Sequence, residues 1–153
     1  MPGPPYLASV RAYRCAGCGA LNRIQAVPAG AAPVCGRCRA DLEVSGEPQP
    51  VDAAALESAV RRSPVPVLVD FWAPWCGPCR AAAPVFAELG RRQAGELLVL
   101  KVNSDEEPDV SARLGIRAIP TFVLFRDGRE VARHSGALPR ADLEAWLASH
   151  RPR

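Results

Sequence analysis

The sequence has no long hydrophobic run. No stretch of its 153 residues approaches the ~18 consecutive apolar residues of a membrane span, and its first residues lack the charged start and apolar run of a secretory signal. These absences predict a cytoplasmic protein with no membrane partner. Blocks of like charge are also missing, since the formal net charge is only +3 and the arginines are scattered. Charge therefore gives no reason to expect a nucleic-acid partner.

The distribution of apolar residues divides the chain into two units. The first 45 residues contain few bulky apolar side chains, so they cannot build a sufficient core of their own. Residues 46–50 have the glycine- and proline-containing composition of a linker. We therefore expect a small module at 1–45, a linker at 46–50 and a larger domain at 51–150.

The larger domain alternates between helical and strand patterns. The expected elements are a helix capped by Asp52 and ended at Ser63, a buried strand from Val65 to Phe71, a helix after Cys76, a strand from Leu97 to Val102, a short helix from Asp109 to Leu114, a hairpin of Thr121–Phe125 and Glu130–His134 around Asp127-Gly128, and a last helix opened by Pro139. This order predicts an α/β fold with a mixed sheet covered on both faces.

The six cysteines fall into three Cys-x-x-Cys pairs. They are Cys15/Cys18, Cys35/Cys38 and Cys76/Cys79. In a secreted chain such pairs would suggest a disulfide framework, but the absence of a signal argues for metal binding or redox chemistry in a reducing compartment. The three pairs must then be distinguished by their context.

Cys76 and Cys79 lie at a turn from a strand into a helix. The free backbone N–H groups and the positive dipole end of a helix stabilise a thiolate at such a position, which makes Cys76 the expected nucleophile. Cys79 lies within bonding reach and can resolve a mixed disulfide. Gly77 leaves the sulfur accessible and Pro78 stiffens the loop. The alternative, a third zinc knuckle, lacks a further cysteine pair or histidine nearby to complete four ligands.

The N-terminal pairs have the spacing of a four-cysteine zinc site. Sixteen residues separate Cys18 from Cys35, and glycines in or after each knuckle permit tight turns. Four thiolates would hold Zn²⁺ with no open position, so Cys15, Cys18, Cys35 and Cys38 are the expected ligands of a structural metal. An iron centre of the rubredoxin type and two vicinal disulfides remain alternatives.

Two ionisable residues stand in apolar strand patterns. Asp70 lies near the end of a buried run, where desolvation should raise its pKa and suit it to act as a base. Lys101 is the only lysine of the chain and stands in the neighbouring strand pattern. The alternative for both is a structural ion pair or a charge that reaches water at the strand end. Trp75, beside the nucleophile, is expected to face the substrate.

The segment 69–80, VDFWAPWCGPCR, resembles the active-site segment of thioredoxins. The resemblance covers about 51–150, including the segments 101–103, 119–121 and 136–137, and the first module is similar to the zinc-binding extension of bacterial two-domain thioredoxins. It implies a thioredoxin fold preceded by a small four-cysteine zinc ribbon.

The resemblance also implies roles for individual residues. Asp70 would assist proton removal from Cys79, and Lys101 would modulate Asp70. The peptide bond between Ile119 and Pro120 would be cis, with Ile119 offering backbone groups to an extended substrate and Pro120 keeping metal away from the thiols. The expected substrate-binding residues are Trp75, Gly77, Pro78, Ile119, Pro120 and Gly136.

The expected function is reduction of disulfides in cytoplasmic client proteins. The resemblance implies a thioredoxin reductase as partner, a redox-active Cys76–Cys79 disulfide and no bound organic cofactor. Two alternatives remain open. The zinc ribbon would be a client-binding module, or it would sense oxidants by releasing zinc.

Overall fold

A computed structural model describes residues 10–25, 27, 29–30 and 32–151. The elements are β1 (Ala12–Arg14), β2 (Leu21–Arg23), β3 (Gln49–Pro50), α1 (Ala53–Arg62), β4 (Val67–Trp72), α2 (Gly77–Arg92), β5 (Leu98–Asn103), α3 (Pro108–Arg113), β6 (Thr121–Arg126), β7 (Arg129–Ser135) and α4 (Arg140–Ser149). Within the described ranges, the helices are all too short or too polar to cross a membrane.

Five strands form one mixed sheet in the order β3-β5-β4-β6-β7. β4 lies at its centre, parallel to β5 and antiparallel to β6. A central strand buries both faces, which explains why β4 has an almost unbroken apolar sequence. β7 is an edge strand and is mostly exposed. The mixed α/β fold class predicted from the sequence is confirmed.

Alternation along β4 divides the core between the two faces of the sheet. Val67, Val69 and Phe71 pack with α1 and α3, whereas Leu68 packs with α2 and α4. Because side chains of a strand alternate between faces, Asp70 shares the face of Leu68. The sequence thus directs this one carboxylate of β4 toward the layer that contains α2.

The helix boundaries follow the signals in the sequence. Asp52 caps α1 by accepting a hydrogen bond from the Ala55 N–H at 2.8 Å. Ser63, which precedes Pro64, has extended backbone angles and ends the helix. In the hairpin, Asp127 and Gly128 both have positive φ, as a two-residue turn of this kind requires.

The segment predicted to be a linker contains a strand. Gln49 and Pro50 pair in parallel with β5, opposite Leu100 and Lys101. The glycine- and proline-containing composition of residues 46–50 predicted a linker instead. β3 lies at the sheet edge, however, where proline is tolerated, and the adjacent Val51 N–H donates to the Lys101 carbonyl at 3.0 Å.

The N-terminal module packs directly on the larger domain. Ala12 and Tyr13 are buried, and the Ala12 N–H donates to the Gly95 carbonyl oxygen at 2.9 Å. Arg14 and Gln49 exchange two buried hydrogen bonds, from Arg14 Nη1 to Gln49 Oε1 at 2.9 Å and from Gln49 Nε2 to the Arg14 carbonyl at 3.0 Å. These contacts fix the module beside the C-terminal end of α2.

Two glycines allow the chain before β3 to touch α2. A Cβ atom on Gly90 would lie 2.1 Å from the Gly46 carbonyl oxygen, and a Cβ on Gly46 would lie equally close to the Gly90 carbonyl oxygen. Gly46 also has a φ of +81°. Both positions therefore require glycine, and the close approach sets how the segment before β3 lies on the helix.

We expect Gly90→Ala to destabilise the protein by about 1–3 kcal/mol, because the added methyl group has no room against Gly46. Alanine is otherwise favoured over glycine inside a helix by about 1 kcal/mol, so the steric clash must outweigh this gain in helix propensity. Urea unfolding measures the change. Gly77→Ala is the control, because a Cβ there has nothing within 4 Å. A Gly90→Ala protein as stable as the wild type would contradict the proposed contact.

Candidate active site and metal centre

Cys76 and Cys79 form a disulfide at the N-terminal end of α2, with their Cα atoms 5.2 Å apart. Cys76 is the N-cap residue, and the backbone N–H of Cys79 donates to its Sγ at 3.2 Å. Pro78 occupies the first turn, where a missing N–H costs no helical hydrogen bond. The geometry therefore directs the unpaired donors of a helix end at the sulfur of Cys76.

The loop around the disulfide leaves one side open. The Cys76 residue is only 4% exposed in this oxidised form, less than the sequence suggested. The adjacent Gly77 and Pro78 are exposed, and a Cβ on Gly77 would meet nothing within 4 Å. The surface beside the disulfide is therefore open at this glycine-proline segment.

Trp75 stands exposed beside the dithiol, with 69% of its surface accessible. Its Nε1–H donates to Asp105 Oδ2 at 2.8 Å, which fixes the orientation of the indole. Asp105 was not predicted from the sequence. The order of the strands could have indicated it. Asp105 follows the carboxyl end of β5, and Trp72 ends the neighbouring parallel strand β4, so the residues after both strands lie at the same end of the sheet.

The segment before β6 completes the rim of the site. The Ile119–Pro120 peptide bond is cis, as the resemblance implied. The Cys76 Sγ lies 3.8 Å from the Ile119 carbonyl oxygen, and the side chain of Ile119 packs against the cluster of Ala73, Cys76 and Cys79. Gly136, with a φ of +99°, donates its N–H to the Pro120 carbonyl oxygen at 2.8 Å. The structure thus brings three of the predicted substrate-binding residues to one rim.

Asp70 is an isolated carboxylate beneath this surface. It is 5% exposed, and its Oδ1 has no hydrogen-bond partner among the described residues. Burial raises the pKa of Asp70 to about 7, while the positive charge of Lys101 lowers it. A carboxyl group that titrates near neutrality can accept and release a proton during turnover.

Lys101 lies directly beside Asp70 in the sheet. The two residues are register partners in the parallel pair of β4 and β5. The Lys101 Nζ lies 5.4 Å from the centroid of the Trp72 ring, within range of a cation–π interaction. The charge of Lys101 therefore acts on Asp70 from the neighbouring strand, and its role in the chemistry stays a prediction.

The four N-terminal cysteines converge on one point. All four Sγ atoms lie within 4.8 Å of one another, with Cys15 and Cys38 separated by 3.6 Å and Cys18 and Cys35 by 3.7 Å. A tetrahedron with metal–sulfur bonds of about 2.3 Å has edges of about 3.8 Å. The donor set therefore fits a tetrahedral metal ion such as Zn²⁺, and none of the four is in a disulfide.

The two knuckles have the same backbone design. The Cys15 N–H donates to the Ala20 carbonyl and the Cys35 N–H to the Ala40 carbonyl, both at 2.8 Å. The residue after each second cysteine has positive φ, +79° in the first knuckle and +67° in the second. The first knuckle has glycine there, whereas the second places Arg39 in this unfavourable region at a cost of roughly 1–2 kcal/mol.

Backbone amides favour the thiolate form of Cys35 in the second knuckle. The amides of Cys38 and Arg37 lower the pKa of Cys35 to about 6, which favours the thiolate that a metal requires. Asn22 adds a donor, with its Nδ2 3.6 Å from the Cys35 Sγ, and its Oδ1 accepts from the Gly36 N–H at 2.9 Å. Asn22 was not predicted from the sequence, because nothing in the β2 sequence distinguishes it from a surface asparagine.

Comparison with known proteins identifies the larger domain. Residues 47–149 match the family model described as Thioredoxin. "Thioredoxin 1" of Synechococcus elongatus is 47% identical over 100 residues, covering 65% of this chain and 94% of that protein. "Thioredoxin C-3" of Corynebacterium nephridii is 39% identical over 133 residues, covering 87% of this chain and 90% of that protein. The second alignment is longer than the span 47–149, so the likeness extends into the N-terminal module.

We expect Asp70→Asn to stabilise the oxidised protein in a pH-dependent way. The pKa of Asp70 is about 7 in the folded protein and about 4 in an unfolded chain. Between these values the folded state binds more protons, so the free energy of unfolding of the wild type falls as pH rises. Since one pKa unit corresponds to about 1.4 kcal/mol, the advantage of the variant should be small at pH 4 and on the order of 4 kcal/mol at pH 8.

Urea unfolding of oxidised wild type and Asp70→Asn at pH 4, 5.5 and 8 measures this difference, in which contributions from all other titrating groups cancel. Asp142→Asn provides the matched control, because it removes an exposed carboxylate from α4. If the difference in unfolding free energy between Asp70→Asn and wild type stayed constant with pH, burial would not raise the pKa of Asp70.

Proposed function

Because the chain belongs to the thioredoxin family, we propose that it reduces disulfides in cytoplasmic proteins through the Cys76–Cys79 dithiol. It is a protein-disulfide oxidoreductase, and the proposal concerns its direction, its clients and the roles of its residues. The main support is the position of Cys76 as N-cap of α2, with the Cys79 amide 3.2 Å from its sulfur.

The first step is attack by the Cys76 thiolate on one sulfur of a client disulfide. A bond forms between Cys76 and that sulfur, the client disulfide breaks, and the other client sulfur leaves as a thiolate. Trp75, Gly77, Pro78, Ile119, Pro120 and Gly136 would hold the client chain as an extended segment across the open side of the loop. The Cys79 amide and the helix end stabilise the Cys76 thiolate before the attack.

The second step is displacement of the client by Cys79. Its thiol loses a proton, and the resulting thiolate attacks the Cys76 sulfur, which forms the Cys76–Cys79 disulfide and releases the client as a thiolate. Two electrons have then passed to the client. We assign proton removal to Asp70, because its face of β4 is covered by α2 and its pKa of about 7 lets it take a proton near neutral pH.

The oxidised dithiol must be reduced again for the next turnover. We propose thioredoxin reductase as this partner, as is general in the family. Lys101 would keep the pKa of Asp70 from rising further, since its charge favours the carboxylate. This effect preserves a base that is ionised for a useful fraction of the time at neutral pH.

We propose that Cys15, Cys18, Cys35 and Cys38 bind Zn²⁺ in a structural site. The sulfur separations of 3.6 and 3.7 Å and the amide donors to Cys35 support this assignment. A metal ion bound by four thiolates joins two knuckles that have no large core of their own. With no open ligand position it supplies no catalysis.

Cys76→Ser should abolish insulin reduction, whereas Cys79→Ser should trap the mixed disulfide. The assay couples insulin reduction to NADPH through thioredoxin reductase, and mass spectrometry detects the insulin adduct of Cys79→Ser. The expected loss of rate for Cys76→Ser is at least about 10³-fold, since a nucleophile is removed. Ala83→Ser, an exposed position of α2, is the control and should retain the wild-type rate. If Cys76 of the reduced, folded wild type resisted alkylation at pH 7, the proposed mechanism would be wrong.

Cys38→Ser should purify with little or no zinc and a lower melting temperature. Arg39→Gly is the matched control in the same knuckle. It should keep the full zinc content and raise stability by about 1 kcal/mol, because it removes a side chain from a residue with positive φ. Metal analysis and thermal unfolding give both results. Iron instead of zinc in the wild type would refute the assignment of the metal.

Deletion of residues 1–45 tests whether the ribbon is needed for disulfide reduction. If the ribbon is structural, the truncated protein should reduce insulin at nearly the full rate but unfold at lower temperature, because Ala12 and the Arg14–Gln49 pair are lost. Loss of client capture would instead favour a binding module. Zinc release at low peroxide with a change of activity would favour a redox sensor.

A further inference from the structure

An apolar groove of about 410 Å³ lies between α1, α3 and the β6–β7 turn. Its floor is formed by Leu56, Val110 and Phe125, which belong to the core cluster on the face of the sheet away from α2. Val60 and Leu114 form partly exposed walls. We call this feature the α1–α3 groove. No residue assigned to disulfide exchange or to the metal site lines it.

Two arginines place positive charge at the rim of the α1–α3 groove. Arg61 in the last turn of α1 and Arg113 in the last turn of α3 both line the groove and are exposed. Neither forms a salt bridge with any residue in the described part of the chain, although five other arginines do. Glu57, the one carboxylate of the rim, is also exposed and forms no salt bridge there.

An apolar floor with guanidinium groups at its rim suits a ligand that has a hydrocarbon chain and an anionic head group. Burial of a hydrocarbon chain contributes through the hydrophobic effect, and arginine can bind a carboxylate through paired hydrogen bonds. The volume is at the lower end of the ~300–1,000 Å³ of small-molecule sites. We propose that the α1–α3 groove binds a small amphiphilic anion, specifically an aliphatic carboxylate of medium chain length.

The ligand has a defined orientation. Its hydrocarbon chain lies over Leu56, Val110 and Phe125, and its carboxylate lies at the rim beside Arg61 and Arg113. Glu57 also lies at the rim, and its negative charge opposes binding of the carboxylate. Affinity therefore depends on the sign of the head group and on three particular rim residues, which a general apolar surface would not require.

The test uses the full-length oxidised protein and dodecanoate as the ligand. Displacement of the fluorescent sulfonate 1-anilinonaphthalene-8-sulfonate reports binding, and calorimetry gives the affinity for dodecanoate directly. Arg61→Gln and Arg113→Gln should each weaken dodecanoate binding about two- to fivefold, as expected for exposed charge pairs. Glu57→Gln should strengthen it by a similar factor. Arg62→Gln is the matched control, because Arg62 is exposed on α1 next to Arg61 but does not line the groove.

Head-group and tail are tested separately. Dodecyltrimethylammonium carries the same tail with a positive charge and should not displace the fluorophore, and inorganic phosphate should not displace it either. Val60→Phe, which fills a wall of the groove, should reduce dodecanoate affinity at least tenfold. Equal binding of the cationic amphiphile, displacement by phosphate, or equal effects of Arg61→Gln and Arg62→Gln would overturn the proposal.

Insulin reduction provides an independent check on each variant. Arg61, Arg113 and Glu57 are not part of the dithiol site, so these variants should retain the wild-type rate of insulin reduction. That result shows that a loss of dodecanoate binding does not come from unfolding. It also separates this proposal from the proposed reductase function, since either can fail while the other holds.

Discussion

The hydrogen bond from the Cys79 amide to the Cys76 sulfur is the contact on which the proposed chemistry depends. It exists because Cys76 occupies the N-cap position of α2 rather than a position within the helix. The first turn of a helix has N–H groups without carbonyl partners, and a thiolate satisfies them better than a thiol does. This helix end follows the carboxyl end of the central strand β4. The segment with Ile119 and Pro120 lies at the same end of the sheet, because it precedes the antiparallel strand β6. The fold thus brings the Cys76–Cys79 pair and the cis peptide segment together, which is the basis of the proposed disulfide exchange.

Asp70 illustrates how strand alternation produces reactivity. The residue stands in a strand that is otherwise apolar, and both of its strand neighbours are fully or almost fully buried. Water would normally stabilise its charge, but β4 lies in the middle of the sheet under α2. The cost of that burial is what raises the pKa of Asp70 to about 7, and the proposed role of Asp70 as a base depends on this desolvation. Lys101 limits the effect from the neighbouring strand without removing it.

The sequence predicted the elements that depend on local chemistry. The cap at Asp52, the helix end before Pro64 and the Asp127-Gly128 turn follow from interactions over a few residues. The Cys-x-x-Cys spacing likewise predicted the Cys76–Cys79 pair and the group of four N-terminal cysteines, since the cysteines of each pair lie in one short loop. Contacts between distant segments were not accessible. Asp105 reaches Trp75 across 30 positions of sequence, and Asn22 reaches Cys35 across 13. β3 was missed because its proline is compatible with a sheet edge only when the position of the edge is known.

The helix α2 also relates the two modules to one another. Its N-terminal end carries the dithiol, and its C-terminal end carries Gly90, against which Gly46 packs. A helix of 16 residues is about 24 Å long, so the ribbon is attached far from the surface that a client must reach. The ribbon contacts bury Ala12 in the main core and satisfy Gln49 at the edge strand. The contacts of Ala12 with Gly95 and of Gly46 with Gly90 therefore lie at the end of α2 opposite the dithiol. They leave the exposed surface at Gly77 free for the proposed disulfide exchange.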